Sequence, residues 1–81
     1  MPLFFFDFAD SRHCTLDDEG TECETVREAR MKAVRTLTAM AKDEALDDEL
    51  LDYMVSVRDD IGRVVYRATL SLAGEWPVNQ Q

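Results

Sequence analysis

The chain has 81 residues, of which 46% are hydrophobic and 32% charged, and its formal net charge is −8 at pH 7. A chain of this length forms one small domain, and this hydrophobic fraction is enough for a core and too high for a disordered segment. DNA and anionic lipid are themselves negatively charged, so the net charge disfavours binding to either one. We therefore predict a folded domain with no nucleic-acid partner and no membrane partner.

The N-terminal residues predict two strands and no leader sequence. Residues 3–8, LFFFDF, are rich in aromatic side chains that favour a strand, and residues 13–16, HCTL, predict a weak second strand paired with the first. The opening residues lack the basic residues and the longer apolar run of a signal peptide, and no apolar run approaches the ~20 residues of a membrane-spanning helix. The expected location is therefore the cytoplasm, where Cys14 and Cys23 would be reduced thiols.

Six carboxylates crowd the stretch LDDEGTECETVREAR, residues 16–30. Carboxylate oxygens suit calcium and magnesium, but Gly20 lies fourth from Asp17, whereas an EF-hand loop has its glycine sixth. The acids also fit a helix entry, because negative side chains stabilise the positive N-terminus of a helix. We favour the helix entry and predict no cofactor and no specific metal site. The ligands of a weak cation loop would be Asp17, Asp18, Glu19 and Glu22.

Residues 26 to about 45 predict an amphipathic helix. Thr25 and Glu28 form a T-x-x-E capping box, in which the threonine hydroxyl accepts the Glu28 N–H and the glutamate reaches back to the Thr25 N–H. Apolar residues then recur at steps of three and four and form one stripe. They are Val26, Ala29, Ala33, Leu37 and Met40.

Residues 51–58 and 63–72 predict a hairpin of two strands, and Gly62 between them suits a positive φ. The order of elements is then ββαββ. This is an α+β domain in which one amphipathic helix packs on one face of a small, mainly antiparallel sheet. We expect the domain to span residues 1–76 and residues 77–81 to form a mobile C-terminal tail.

Four segments stand out in order along the chain: MPLFFFDF with its aromatic strand, DDEGTE with a D-x-x-G turn, REARMKA with an E-A-R helix, and VSVRDDIGRVV with a V-R-D-x-x-G-R-V-V hairpin. In this order and spacing they resemble a family of small bacterial proteins known only as a domain of unknown function. The match spans most of residues 1–66. The resemblance implies a compact α+β domain in a bacterial cytosol, and it implies no catalytic residues.

The side chains offer little for catalysis. His13 is the one histidine and directly precedes Cys14, and neighbours on a strand point to opposite faces, so the pair cannot act as base and nucleophile. The three glycines lie far apart, which excludes a glycine-rich phosphate loop. His13, Cys14 and Cys23 would give three zinc ligands at most, without a C-x-x-C unit. We predict that the protein is not an enzyme.

One helix covers only one side of a sheet, so alternation along the strands predicts an uncovered, helix-free face. A contiguous apolar patch with a polar ring is typical of a partner surface, unless the tail covers it through Trp76. We therefore predict a non-enzymatic protein-interaction or self-associating module that forms a homodimer or binds an unidentified protein. The alternative is an ion- or small-ligand-binding domain that uses the acidic loop, residues 17–24. The predicted interaction face consists of Leu3, Phe5, Met54 and Val65, ringed by Arg58, Arg67 and Asp7, and the helix side includes Phe4, Phe6, Tyr53, Val55, Val57, Val64, Tyr66, Ala68 and Leu70.

Overall fold

The computed structural model describes residues 1–44 and 49–78. One helix packs against one face of a mainly antiparallel, five-stranded sheet. This confirms the predicted α+β fold and its ββαββ order, to which the structure adds a two-residue strand before the helix. The residue predicted to end the helix, near position 45, and residues 79–81 of the predicted tail lie outside the described residues. The elements are β1 (Leu3–Ala9), β2 (Cys14–Thr15), β3 (Thr21–Glu22), α1 (Val26–Glu44), β4 (Leu50–Arg58) and β5 (Val64–Ala73).

The strands lie in the order β2–β1–β4–β5, and β3 also pairs with β1. On one edge β1 pairs with β4, where Phe6 is opposite Val57. On its other edge β1 pairs with β2 through Phe8 and with β3 through Phe4. Between β2 and β3, the five residues 16–20 lie opposite only residues 5–7 of β1, so the chain bulges out and interrupts the ladder along that edge. The sequence did not predict β3, because glycine and acidic residues are typical of a loop.

The core lies between α1 and the sheet, where the helix packs on β4 and β5. Every fourth residue of the helix is buried, namely Ala29, Ala33, Leu37 and Ala41, and the small alanines let the helix lie close to β4. Two residues of the predicted stripe remain partly exposed, Val26 at 43% and Met40 at 36%. The buried side chains of the sheet are Phe4, Tyr53, Val55 and Val57, joined by Cys23.

Thr25 caps the helix as predicted. The Glu28 N–H donates to the Thr25 Oγ1 at 3.1 Å. The Glu28 carboxylate accepts the N–H of Glu24 at 3.0 Å, one residue earlier than the predicted partner, and its other oxygen lies 3.7 Å from the Nζ of Lys32. Two N–H groups at the entry are therefore satisfied by side chains, which fixes the first residue of the helix.

A β-bulge in the hairpin reverses the faces of two valines. Val57 pairs with Tyr66 but Arg58 pairs with Val64, so Val65 is an extra residue of β5. Val64 therefore lies on the helix-free face beside Arg58 and is 48% exposed, and Val65 packs against the core. The prediction that placed Val65 on the helix-free face and Val64 on the helix side was wrong, because strict alternation cannot anticipate an inserted residue.

Candidate functional site

An ion pair between neighbouring strands lies at the centre of the helix-free face. The Nε of Arg58 lies 2.6 Å from Oδ2 of Asp7, and its Nη2 lies 2.9 Å from Oδ1. The Asp7 side chain is only 13% exposed, and the Arg58 guanidinium also stacks over the ring of Phe5 at 5.2 Å. The hydrogen bonds from Arg58 outweigh burial and hold the pKa of Asp7 below its ordinary value. The middle of the predicted interaction face is therefore charged.

The carboxylate of Asp17 serves the backbone of the acidic loop and of β1. Its Oδ2 accepts the N–H of Phe6 at 3.0 Å, and its Oδ1 accepts the N–H groups of Glu19 at 3.1 Å and Gly20 at 3.0 Å. Burial acts to raise the pKa of Asp17, but these three donors outweigh it and hold the pKa below its ordinary value. The Asp17 carboxylate thus accepts the Phe6 N–H at a position of β1 where no carbonyl of β2 or β3 is opposite.

The backbone of Asp17 ties the loop to the ion pair. Its N–H donates to Oδ1 of Asp7 at 2.9 Å, and its carbonyl accepts the Nη2 of Arg58 at 3.0 Å. Three segments that are distant in sequence therefore meet at one charged cluster, formed by Asp7, Asp17 and Arg58. Charge-assisted hydrogen bonds of this kind are about twice as strong as neutral ones.

The same loop lies against the side of strand β1 that carries Leu3 and Phe5. Gly20 has a φ of +79°, and a Cβ at this position would lie 2.9 Å from Cγ of Leu3 and 3.0 Å from Cε2 of Phe5. Only glycine permits so close an approach and so unusual a backbone conformation. Leu3 and Phe5, both half-buried, are therefore in contact with the chain's own loop.

The structure does not bring the predicted interaction residues into one apolar patch. Phe5 is opposite Arg58, whereas Met54 is opposite Ala9, about 13 Å away along β1 at ~3.3 Å per residue. Met54 is 38% exposed. Val65 belongs to the core side, as described above. The other predicted member, Arg67, lies on β5 and donates to Oγ of Ser56 at 3.2 Å.

The remaining candidate ligands stay apart. Within residues 1–44 and 49–78, no three His, Cys, Asp or Glu side chains are grouped to hold a metal ion. Cys14 is exposed on β2, whereas Cys23 is buried in the core, and burial raises the pKa of its thiol. His13 is 81% exposed and lies beside Asp10, with Nδ1 3.7 Å from Oδ1. Asp18 and Glu22, two of the proposed cation ligands, are exposed.

The most unusual surface is the outer edge of β5. This ten-residue strand is last in the sheet, and no other strand of the described chain pairs with its outer side. Its sequence, VVYRATLSLA, carries Arg67 as its one charge and has no proline and no carboxylate, although the chain has 17 Asp and Glu residues. Natural edge strands are usually short, charged or interrupted. The absence of Asp and Glu from residues 64–73 is visible in the sequence. Only the strand order shows that these residues form an edge of the sheet.

A family model described as "Domain of unknown function (DUF6894)" matches residues 3–71. The chain belongs to this family. The match runs from the first residue of β1 into β5 and confirms the resemblance carried by the four segments. Comparison of the chain with curated proteins and with solved structures found no match in either set. In the described part of this DUF6894 chain, no helix is long and apolar enough to span a membrane.

Two motifs of this DUF6894 domain now have a structural explanation. The D-x-x-G turn supplies Asp17 for the bulge and Gly20 for the close approach to β1. The hairpin motif supplies Arg58 for the ion pair and Asp59 for the turn. Asp59 accepts the N–H groups of Ile61 and Arg63 through Oδ1, at 3.1 and 2.8 Å. These residues therefore hold the acidic loop, the hairpin turn and strand β1 in place.

Proposed function

We propose that this DUF6894 domain is a non-enzymatic, self-associating module in which two copies pair edge to edge along β5. The observation that carries the proposal is the outer edge of that strand, which is long, has no Asp or Glu, and is not paired by any strand within residues 1–44 and 49–78. Backbone N–H and C=O groups along such an edge are a template for another strand. Antiparallel pairing of two copies about a two-fold axis satisfies them and continues the sheet from one copy into the next.

The side chains of β5 suit this pairing. Tyr66, Ala68 and Leu70 face the helix side and are half-buried, and Leu72 beyond them is 40% exposed. In a pair centred on Thr69, Tyr66 of one copy lies opposite Leu72 of the other, so the apolar helix side continues across the junction. Aromatic and aliphatic pairs across strands contribute about 0.2–1 kcal/mol each.

The negative charge of the chain limits which strand edges two copies can pair through. Two copies with a net charge of −8 each repel one another. β5 itself carries no carboxylate, although the Asp52 carboxylate of β4 accepts the Ser71 hydroxyl at 2.6 Å. Salt screens the repulsion from groups beyond about 10 Å at 0.1 M. β5 thus combines an outer edge that no described strand covers with a sequence free of Asp and Glu.

Sedimentation equilibrium of three proteins tests the proposal: the wild type, Thr69→Lys and Met54→Lys. Thr69 is exposed on β5 and lies directly opposite Met54 on the inner strand β4. A lysine at position 69 faces another lysine or Arg67 of the second copy when the pair is centred on residue 69 or 68, and like charges directly opposite destabilise strand pairing.

We expect the wild type and Met54→Lys to show twice the chain mass and Thr69→Lys to show the chain mass. Because both lysines lie on the same face of the sheet, Met54→Lys is the matched control for added charge. A wild-type monomer at all concentrations contradicts self-association. If only Met54→Lys dissociates the dimer, pairing through β5 is contradicted and the interface lies on the helix-free face of β4.

A further inference from the structure

The helix leaves part of its own side of the sheet uncovered. α1 packs on β4 and β5, and an open groove of about 570 Å³ remains between the helix, β1 and the acidic loop. Phe6 and Phe8, both half-buried, line its floor. Leu16 lines the loop side and is 69% exposed. The groove therefore has an apolar interior that residues 1–44 and 49–78 do not fill.

The helix side of the groove is basic. Lys32, Arg35 and Thr36 line it, and helix residues three and four apart share one face. Lys32 is weakly paired with Glu28 at 3.7 Å. The Arg35 side chain makes no hydrogen bond or ion pair with the residues described, so its guanidinium is available to a ligand. An arginine without an ion-pair partner among the described residues, beside an aromatic floor, offers a site for an anion.

The loop side of the groove adds little competing attraction for Arg35. The Asp17 carboxylate lines the groove but already accepts three backbone N–H groups. Asp18 also lines the groove, but it is exposed, so solvent weakens its repulsion of one negative charge at Arg35, and the repulsion grows with each further negative charge on the ligand. The groove therefore favours a ligand with a single negative charge at the helix side and an apolar body.

We propose that this groove binds a small apolar monocarboxylate, with the carboxylate on Arg35 and Lys32 and the apolar body on Phe6, Phe8 and Leu16. A guanidinium fits a carboxylate with two parallel hydrogen bonds. The volume of about 570 Å³ lies within the 300–1,000 Å³ of small-molecule sites. Two floor residues span only about 7 Å of strand, which suits a ring or short alkyl chain better than a polymer.

Backbone amide NMR titrations with octanoate and phenylacetate test the proposal, with octanol and octylammonium as neutral and cationic controls. We expect saturable shifts at Phe6, Phe8, Leu16 and Thr36 with the two carboxylates and clearly weaker binding of both controls. Arg35→Gln should weaken carboxylate binding about three- to fivefold. Arg27→Gln removes another exposed arginine of the same helix, one that does not line the groove, and should leave binding unchanged.

Three results overturn the proposal: no saturable shift with either carboxylate, equal binding of octylammonium, or equal weakening by Arg35→Gln and Arg27→Gln. Because Arg35 and Arg27 are both exposed, the two variants should retain the amide spectrum of a folded domain. The groove lies beside β1 and β2, at the opposite end of the sheet from β5. Failure of ligand binding in the groove therefore leaves the proposal of pairing through β5 intact. Failure of pairing through β5 likewise leaves the groove proposal intact.

Discussion

Arg58 on β4 holds Asp7 on β1 through two hydrogen bonds, at 2.6 and 2.9 Å, on the face of the sheet that the helix does not cover. The residues are diagonal neighbours, since Phe5 is directly opposite Arg58. The backbone of Asp17 joins the same cluster. The pair therefore links the hairpin, the first strand and the acidic loop, and a small domain with a thin stability margin depends on it.

The cluster predicts loss of stability in acid. The pKa values of Asp7 and Asp17 are lowered in the folded state. Groups of this kind contribute stability above their unfolded pKa of about 3.9, and that stability is lost as pH falls through the folded pKa. We expect urea denaturation to show a falling free energy of unfolding below about pH 4.

Asp7→Asn should lower the free energy of unfolding at pH 7 by about 1.5–3 kcal/mol, because a hydrogen-bonded charge is lost. The difference from wild type should narrow toward low pH, where the wild-type carboxylate is protonated. The pKa of Asp17 is lowered in the same direction, so the free energy of unfolding of the variant should still fall in acid, but less steeply than that of the wild type. Equal stability of the two proteins at pH 7 would contradict a structural role for the ion pair.

Gly20 and Gly62 predict a contrast between two alanine substitutions. Both have a positive φ, +79° and +89°, so both variants should lose about 1–2 kcal/mol from backbone strain. A Cβ at Gly20 also meets Leu3 and Phe5 at 2.9 and 3.0 Å, whereas one at Gly62 meets nothing within 4 Å. The midpoint of thermal unfolding should therefore be clearly lower for Gly20→Ala than for Gly62→Ala. Equal midpoints would mean that the loop does not lie against β1.

The sequence predicted the elements better than the surfaces. The aromatic strand, the capped helix and the hairpin each follow from local patterns, since turn and capping residues lie next to the strands and helix that they delimit. Val65 was misplaced because a bulge is an inserted residue that alternation cannot show. The role of Asp17 depends on a bond to Phe6, eleven residues away. The open edge of β5 depends on strand order, which no local pattern encodes.

Thr25→Ala should lower the free energy of unfolding by about 0.5–2 kcal/mol, because the Glu28 N–H loses its cap. Thr38→Ala is the matched control. The Thr38 hydroxyl bonds to the carbonyls of Val34 and Arg35 within the helix, and alanine has the higher helix propensity. Chemical denaturation should show a loss for position 25 and no loss for position 38. The reverse order would place the helix start elsewhere.

The acidic loop should not bind a cation specifically. Asp17 is occupied by backbone donors, and Asp18 and Glu22 are exposed, with no grouping of three ligands in the described chain. We expect titration with calcium, magnesium or zinc to cause only small, non-saturating amide shifts in residues 16–25. Localised, saturable shifts at micromolar metal would contradict this and restore the ion-binding alternative.

The most direct test of the central proposal is an isotope-filtered NOE experiment on an equimolar mixture of labelled and unlabelled protein, in a buffer of moderate ionic strength that screens the net charge. Edge-to-edge pairing places the backbones of two β5 strands about 4.7–4.9 Å apart. We predict intermolecular NOEs between backbone protons of Val64–Ala73 in the two copies and none from Met54. Intermolecular NOEs confined to Phe5 and Met54, or a complete absence of them in a monomeric protein, would contradict pairing through β5.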